Sequence, residues 1–158
     1  MTPPDLRRAP SENLRFLAQV VRGEAELLSL TDGRLFAVPM DTRRAGTPCV
    51  KTSSWVNAST RLWPASAASK TLADKLLPEI LSWLGEAVGP AIDNLSRAER
   101  LGWISDGQAW LDARQLRNRM IHEYVRDPDV LAAALSAGHA AVGLLVASAD
   151  TLASVVEG

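Results

Sequence analysis

The chain has one cysteine, one tyrosine, two histidines and 5% aromatic residues in 158 positions, and each shortage closes a class of function. Cys49 alone forms no intrachain disulfide, so a reducing cytoplasm is the expected compartment. A lone thiol with no nearby histidine also gives no thiol-protease centre. No histidine–carboxylate cluster has zinc spacing, and no glycine-rich loop precedes Lys-Ser or Lys-Thr, which excludes a Walker-type phosphate cradle. A large excess of one charge is missing too. At a net charge of −1, any nucleic acid would have to meet a local arginine patch instead of a basic body. Met1-Thr2-Pro3-Pro4-Asp5 lacks the basic-then-apolar layout of a signal peptide, and no apolar run is expected to span a bilayer.

What is abundant is alanine and leucine, which favours helices over a β-sandwich rich in Val, Ile, Thr and Tyr. Ser11 is a plausible N-cap, and Leu14, Leu17, Val21 and Leu28, joined by Val20 and Leu27, mark an apolar stripe that Thr31-Asp32-Gly33 would stop. A second helix is predicted from about Thr71 to Val88, kinked at Pro78 unless an end falls there, and closed by Gly89-Pro90. A short helical turn follows at Ser96 to Leu101, with Asp93 read as a turn residue. Ser105 and Gln108 have the spacing of a capping box, opening a helix that carries Trp110 and Leu116. Asp127-Pro128 restarts the chain as cap and first helical residue, and Leu131, Leu135, Val142, Leu145, Val146, Ala149 and Leu152 form the stripe of a long last helix. The expected fold is all-α: a single domain over 1–158, built as an antiparallel bundle of four to five helices with an irregular segment near 43–70.

That segment has neither helical nor alternating periodicity, although Trp55 and Trp63 lie in it. Two explanations stand. One is a surface loop. The other is a shifted reading frame, because GC-rich codons for this stretch can encode an amphipathic helix in the neighbouring frame. Sequencing the gene across codons 40 to 75 separates the two.

Chemistry concentrates in Arg117-Asn118-Arg119-Met120-Ile121-His122-Glu123-Tyr124, with Arg114 and Arg126 flanking it. A histidine titrating near neutrality moves protons, and a guanidinium holds a phosphate while it does so. Arginine, four residues, histidine, one residue, tyrosine: this pattern resembles the signature of the HEPN superfamily. The text from Asp93-Asn94-Leu95 through Arg100-Leu101-Gly102 and Trp110 to Tyr124 is similar to its HepT-type toxin branch. The resemblance covers about 72 to 150 well, 5 to 40 passably, and 43 to 70 not at all.

The resemblance implies a HEPN-like helical domain that acts as a homodimeric, metal-independent endoribonuclease without a cofactor. It would be the toxin of a type II-like toxin–antitoxin pair, silenced by a small nucleotidyltransferase. On that analogy Arg117 and His122 are catalytic, Asn118 and Arg119 support them, and Tyr124 is the residue the partner adenylylates. The alternatives are a non-catalytic module that binds nucleotide or the transferase and presents substrate to it, or an inactive remnant. Each residue also has a plainer reading: Arg117 and Arg119 as exposed arginines, His122 as an interface histidine, Tyr124 as a bundle anchor. His139 reads as structural, Asp74 and Lys75 as a solvated pair, and Trp83, Trp103 and Trp110 as core.

One histidine does not easily serve as both base and acid in RNA cleavage. Positions five apart on a helix point about 140° apart, so Arg117 and His122 do not share a face. Two copies of the motif meeting across a two-fold axis would place two histidines and two arginines in one cleft.

Overall fold

The computed structural model describes residues 9–37, 69–122 and 128–158, with backbone alone for 117–122 and 128–132. These residues form five helices and, among them, no strand. They are α1 (Glu12–Leu35), α2 (69–83), α3 (Ala91–Arg100), α4 (Gly107–His122) and α5 (Pro128–Glu157). The all-helical class and the helical bundle agree with the sequence. Residues 43–68 lie outside the described residues, while 69 and 70, placed in the irregular segment by the sequence, are helical.

α5 is the spine, with α1 packed along it and α4 beside it, while α2 lies on α1 and α3 joins α2 to α4. Leu14, Ala18, Val21, Ala25 and Leu28 of α1 are buried with Val142, Leu145, Ala149, Leu152 and Val156 of α5 in the main core cluster. Each fully buried leucine there contributes about 2 kcal/mol of apolar transfer. The small residues Ala18, Ala25, Ala149 and Ala153, all almost wholly buried, leave room for the neighbouring side chains to interlock. Between 130 and 149 the chain has no Asp, Glu, Lys or Arg. By length and composition alone, Ala133–Glu157 would therefore be able to cross a membrane, contrary to the reading that no run is long enough. One face of that stretch is instead spent on the bundle core.

Helix ends depart from the sequence reading in four places. Ser11 caps α1 as expected, its hydroxyl accepting from the Leu14 N–H at 3.1 Å. Yet α1 runs through Thr31-Asp32-Gly33 to Leu35, because Leu35 is buried and the Thr31 hydroxyl donates to the Leu27 carbonyl without breaking the ladder. Leu27, placed in the apolar stripe, is half exposed.

α2 ends at Trp83, five residues before Val88. Gly85 takes φ 76° there, with Glu86 N–H donating to the Leu81 carbonyl and Gly85 N–H to Ser82 (a left-handed C-terminal cap of the Schellman kind). Gly89-Pro90 does not close that helix but opens α3. The buried Asn94 side chain bonds both the N–H and the carbonyl of Gly89, each at 2.9 Å. α3 thus starts at Ala91, and Asp93 lies in its first turn.

Finally, Asp106, not Ser105, caps α4: its carboxylate accepts from the Ala109 N–H at 2.9 Å, and Gln108 instead donates to Asp112.

Pro78 shapes α2. Proline has no N–H to give the carbonyl four residues back, and its ring would collide with that carbonyl. The chain answers with a π turn over Leu72–Leu76, in which the Leu77 N–H donates five residues back to Leu72, and regular helix resumes over Leu77–Trp83. No helix is broken, and Leu72, Leu76, Leu77, Ile80 and Leu81 stay buried. Trp83 and Leu84 are partly buried against the core, and so is Trp103; only Trp110 among these tryptophans is fully enclosed.

Candidate functional site

α4 carries the motif, and three contacts fix how it sits. At its start the Gly107 N–H donates to Glu99 Oε2 at 3.2 Å. A Cβ at position 107 would come within 2.9 Å of that oxygen, so a side chain there would displace the Glu99 carboxylate. One turn on, fully buried Trp110 donates from Nε1 to Ser148 Oγ on α5 at 3.2 Å, and Ser148 donates in turn to the Leu144 carbonyl. One further turn on, Arg114 grips Asp74 of the π turn through both terminal nitrogens, at 2.7 and 3.0 Å. A two-pronged guanidinium–carboxylate pair fixes orientation as well as distance. The sequence reads Asp74 and Lys75 as a solvated pair. Asp74, within the π turn, is instead committed to α4.

The helix continues without interruption through Arg117, Asn118, Arg119, Ile121 and His122, its last residue. Positions 117 and 118 follow Arg114 by three and four residues and so fall on the side of α4 that carries it. Asn118 and His122, four apart, share one ridge, whereas Arg117 lies about 140° around from His122. The side chains of Arg117, Asn118, Arg119 and His122 lie outside the described residues, as do Glu123, Tyr124 and Arg126 altogether. Pro128 opens α5 at its expected place.

Beside Asp74, an open groove of about 650 Å³ runs between the N-terminal half of α1 and α2. Its lining includes Asn13, Phe16 and Leu17 from α1, Asp74, Lys75, Pro78, Glu79 and Ser82 from α2, and Val88. Phe16 is 61% exposed at its edge. Farther along α1, Glu24 meets α2. Its Oε1 accepts from the Thr71 hydroxyl at 3.3 Å, while Oε2 is buried without a partner among the described residues. Burial pushes this carboxyl above its ordinary value, and the Thr71 bond and the nearby Lys75 ammonium only partly offset that rise. No group of three or more metal-ligating side chains occurs among the described residues.

At the opposite end of α1, His139 of α5 meets Asp32. Nδ1 lies 2.7 and 2.9 Å from the two carboxylate oxygens, and the ring stacks on Phe36 with centroids 4.1 Å apart. The structural reading of His139 agrees with this, since the contact ties the last turn of α1 to α5.

Sequence reasoning did not find the Asp74–Arg114, Glu24–Thr71 or Asp32–His139 pairs. Their members are 40, 47 and 107 residues apart, and no local pattern links them. The one available signal was Pro78, which marks a disturbed turn just before it.

Searches against models of protein families, curated proteins and solved structures returned no match to this chain.

Proposed function

We propose that this protein is a HEPN-like ribonuclease toxin of the HepT type, cytoplasmic and working as a homodimer, with Arg117 and His122 as its catalytic residues. The observation that carries the reading is the place of the motif. Arg117 and His122 sit in the last turns of α4, directly before the long α5, and α4 is held by Trp110 and by the Arg114–Asp74 fork. Such bracing suits a site whose reacting groups must keep their register to well under an ångström.

In the proposed reaction an imidazole takes the proton of a ribose 2′-hydroxyl, whose oxygen attacks the adjacent phosphorus. The P–O5′ bond breaks, and the departing oxygen takes a proton from a second imidazole. The products are a 2′,3′-cyclic phosphate and a 5′-hydroxyl. Arg117 stabilises the charge that gathers on the phosphorane oxygens, with Asn118 and Arg119 supporting substrate phosphate. The second histidine comes from the other subunit, because the motif holds one histidine and a single imidazole does not easily serve as both base and acid. Adenylylation of Tyr124 by a nucleotidyltransferase partner would add an anionic phosphate and a bulky base seven residues from Arg117. That phosphate would compete with RNA for the guanidinium.

Expression of the chain alone tests this. The reading predicts growth arrest that His122→Ala abolishes and that co-expressed nucleotidyltransferase relieves in a Tyr124-dependent manner. Arrest that persists in His122→Ala contradicts it.

A further inference from the structure

We propose that the groove between α1 and α2 is a guanine-nucleotide subsite, in which Phe16 stacks on the base, Glu79 reads its edge and Lys75 meets its phosphate. This rests on the ribonuclease reading for its role, though not for its chemistry. The groove's volume of about 650 Å³ is ample for one nucleotide. Phe16, 61% exposed at the rim, offers a flat apolar face of the kind on which single-stranded bases stack.

The carboxylates decide which base. Asp74 is held by Arg114 and so is occupied. Glu79 lines the same groove and makes no hydrogen bond or ion pair among the described residues. A free carboxylate presents two acceptors side by side. Guanine is the common base whose Watson–Crick edge offers two adjacent donors, N1–H and the N2 amino group. Adenine and cytosine set a ring-nitrogen acceptor beside their single amino group, and uracil flanks its one N–H with two carbonyls. Each of these would turn a lone pair toward Glu79. The remaining guanine acceptor, O6, needs a donor, and Asn13 and Ser82 line the same groove with an amide and a hydroxyl. Lys75 lies four positions before Glu79 on α2, about one turn away, and supplies the cation for a phosphate. Asp74 belongs both to the groove wall and to the fork on α4, so a nucleotide bound here lies beside the helix that carries Arg117 and His122.

Calorimetric titration of the whole chain with GMP, AMP, CMP, UMP and guanosine tests the assignment. GMP should bind roughly tenfold more tightly than AMP, as one two-pronged base contact allows. Glu79→Gln should erase that preference and Phe16→Ala should weaken GMP by roughly tenfold. Lys75→Ala should bring GMP down to the affinity of guanosine. Because Phe16 and Glu79 are exposed, circular dichroism of both variants should match the parent. Equal affinity for the four nucleotides, no binding at millimolar GMP, or a folded Glu79→Gln that keeps the preference would each overturn the proposal. Parallel RNA-cleavage assays keep the two ideas apart. Selective GMP binding without cleavage upholds the subsite and removes the nuclease, whereas His122-dependent cleavage without GMP selectivity does the reverse.

Discussion

Arg114 and Asp74 join the helix that carries the motif to the one irregular turn of α2, through two parallel hydrogen bonds of 2.7 and 3.0 Å. The π turn accommodates Pro78, Asp74 lies within that turn, and Asp74 holds Arg114 three residues before Arg117. The turn that accommodates one proline thereby carries one of the contacts that hold the candidate catalytic helix.

Breaking this fork should cost modest stability and more activity. Both side chains are about one-third exposed, so Asp74→Ala should lower the unfolding free energy by only about 1 kcal/mol. Arg114→Lys, which keeps the charge but loses the fork, should behave similarly. Urea denaturation measures this. RNA turnover should fall in both variants with KM little changed, because the fork orients α4 without being assigned a contact to substrate.

Glu24 makes stability depend on pH in an unusual direction for a carboxylate. Its folded value is raised by burial, so in the window between the ordinary and the raised value the native state holds a proton that the unfolded chain has released. Stability from this group is complete below the ordinary carboxylate range and is lost as pH climbs through the raised value. Glu24→Gln should flatten that decline and, by supplying a neutral group beside Thr71, raise stability at pH 7 by up to about 1 kcal/mol. Melting temperatures of parent and variant from pH 4 to 8 give the comparison. A parent whose stability rises steadily across that range while the variant follows it in parallel contradicts the assignment.

Trp110 is the main apolar anchor of α4. Trp110→Ala should destabilise the fold by about 3–5 kcal/mol through the cavity it leaves. Trp110→Phe should cost less, about 1–2 kcal/mol, because it leaves a smaller cavity and Ser148 keeps its bond to the Leu144 carbonyl. Chemical denaturation of the two variants should show this order.

Local pattern revealed what local forces decide. The Ser11 cap, the stripe through Leu14, Val21 and Leu28, and the start of α5 at Pro128 could all be read from neighbours along the chain. Ends set by tertiary contact could not. Gly33 has the appearance of a stop, yet buried Leu35 and the Asp32–His139 contact carry α1 past it. Gly85 looks ordinary beside Gly89-Pro90, but it is Gly85 that takes the left-handed conformation, while Asn94 claims Gly89. The motif itself was legible because its spacing is helical and its residues are scarce elsewhere. Its bracing was not, since Asp74 lies 40 residues from Arg114 and sits in a turn that only Pro78 announces.

The central claim is that His122 moves protons during RNA cleavage without a metal. Purified protein incubated with single-stranded RNA in excess chelator should produce 2′,3′-cyclic phosphate ends, and His122→Ala, folded by circular dichroism, should reduce the rate by at least about 100-fold. Cleavage that stops on chelation, or that proceeds unchanged in folded His122→Ala, contradicts the account.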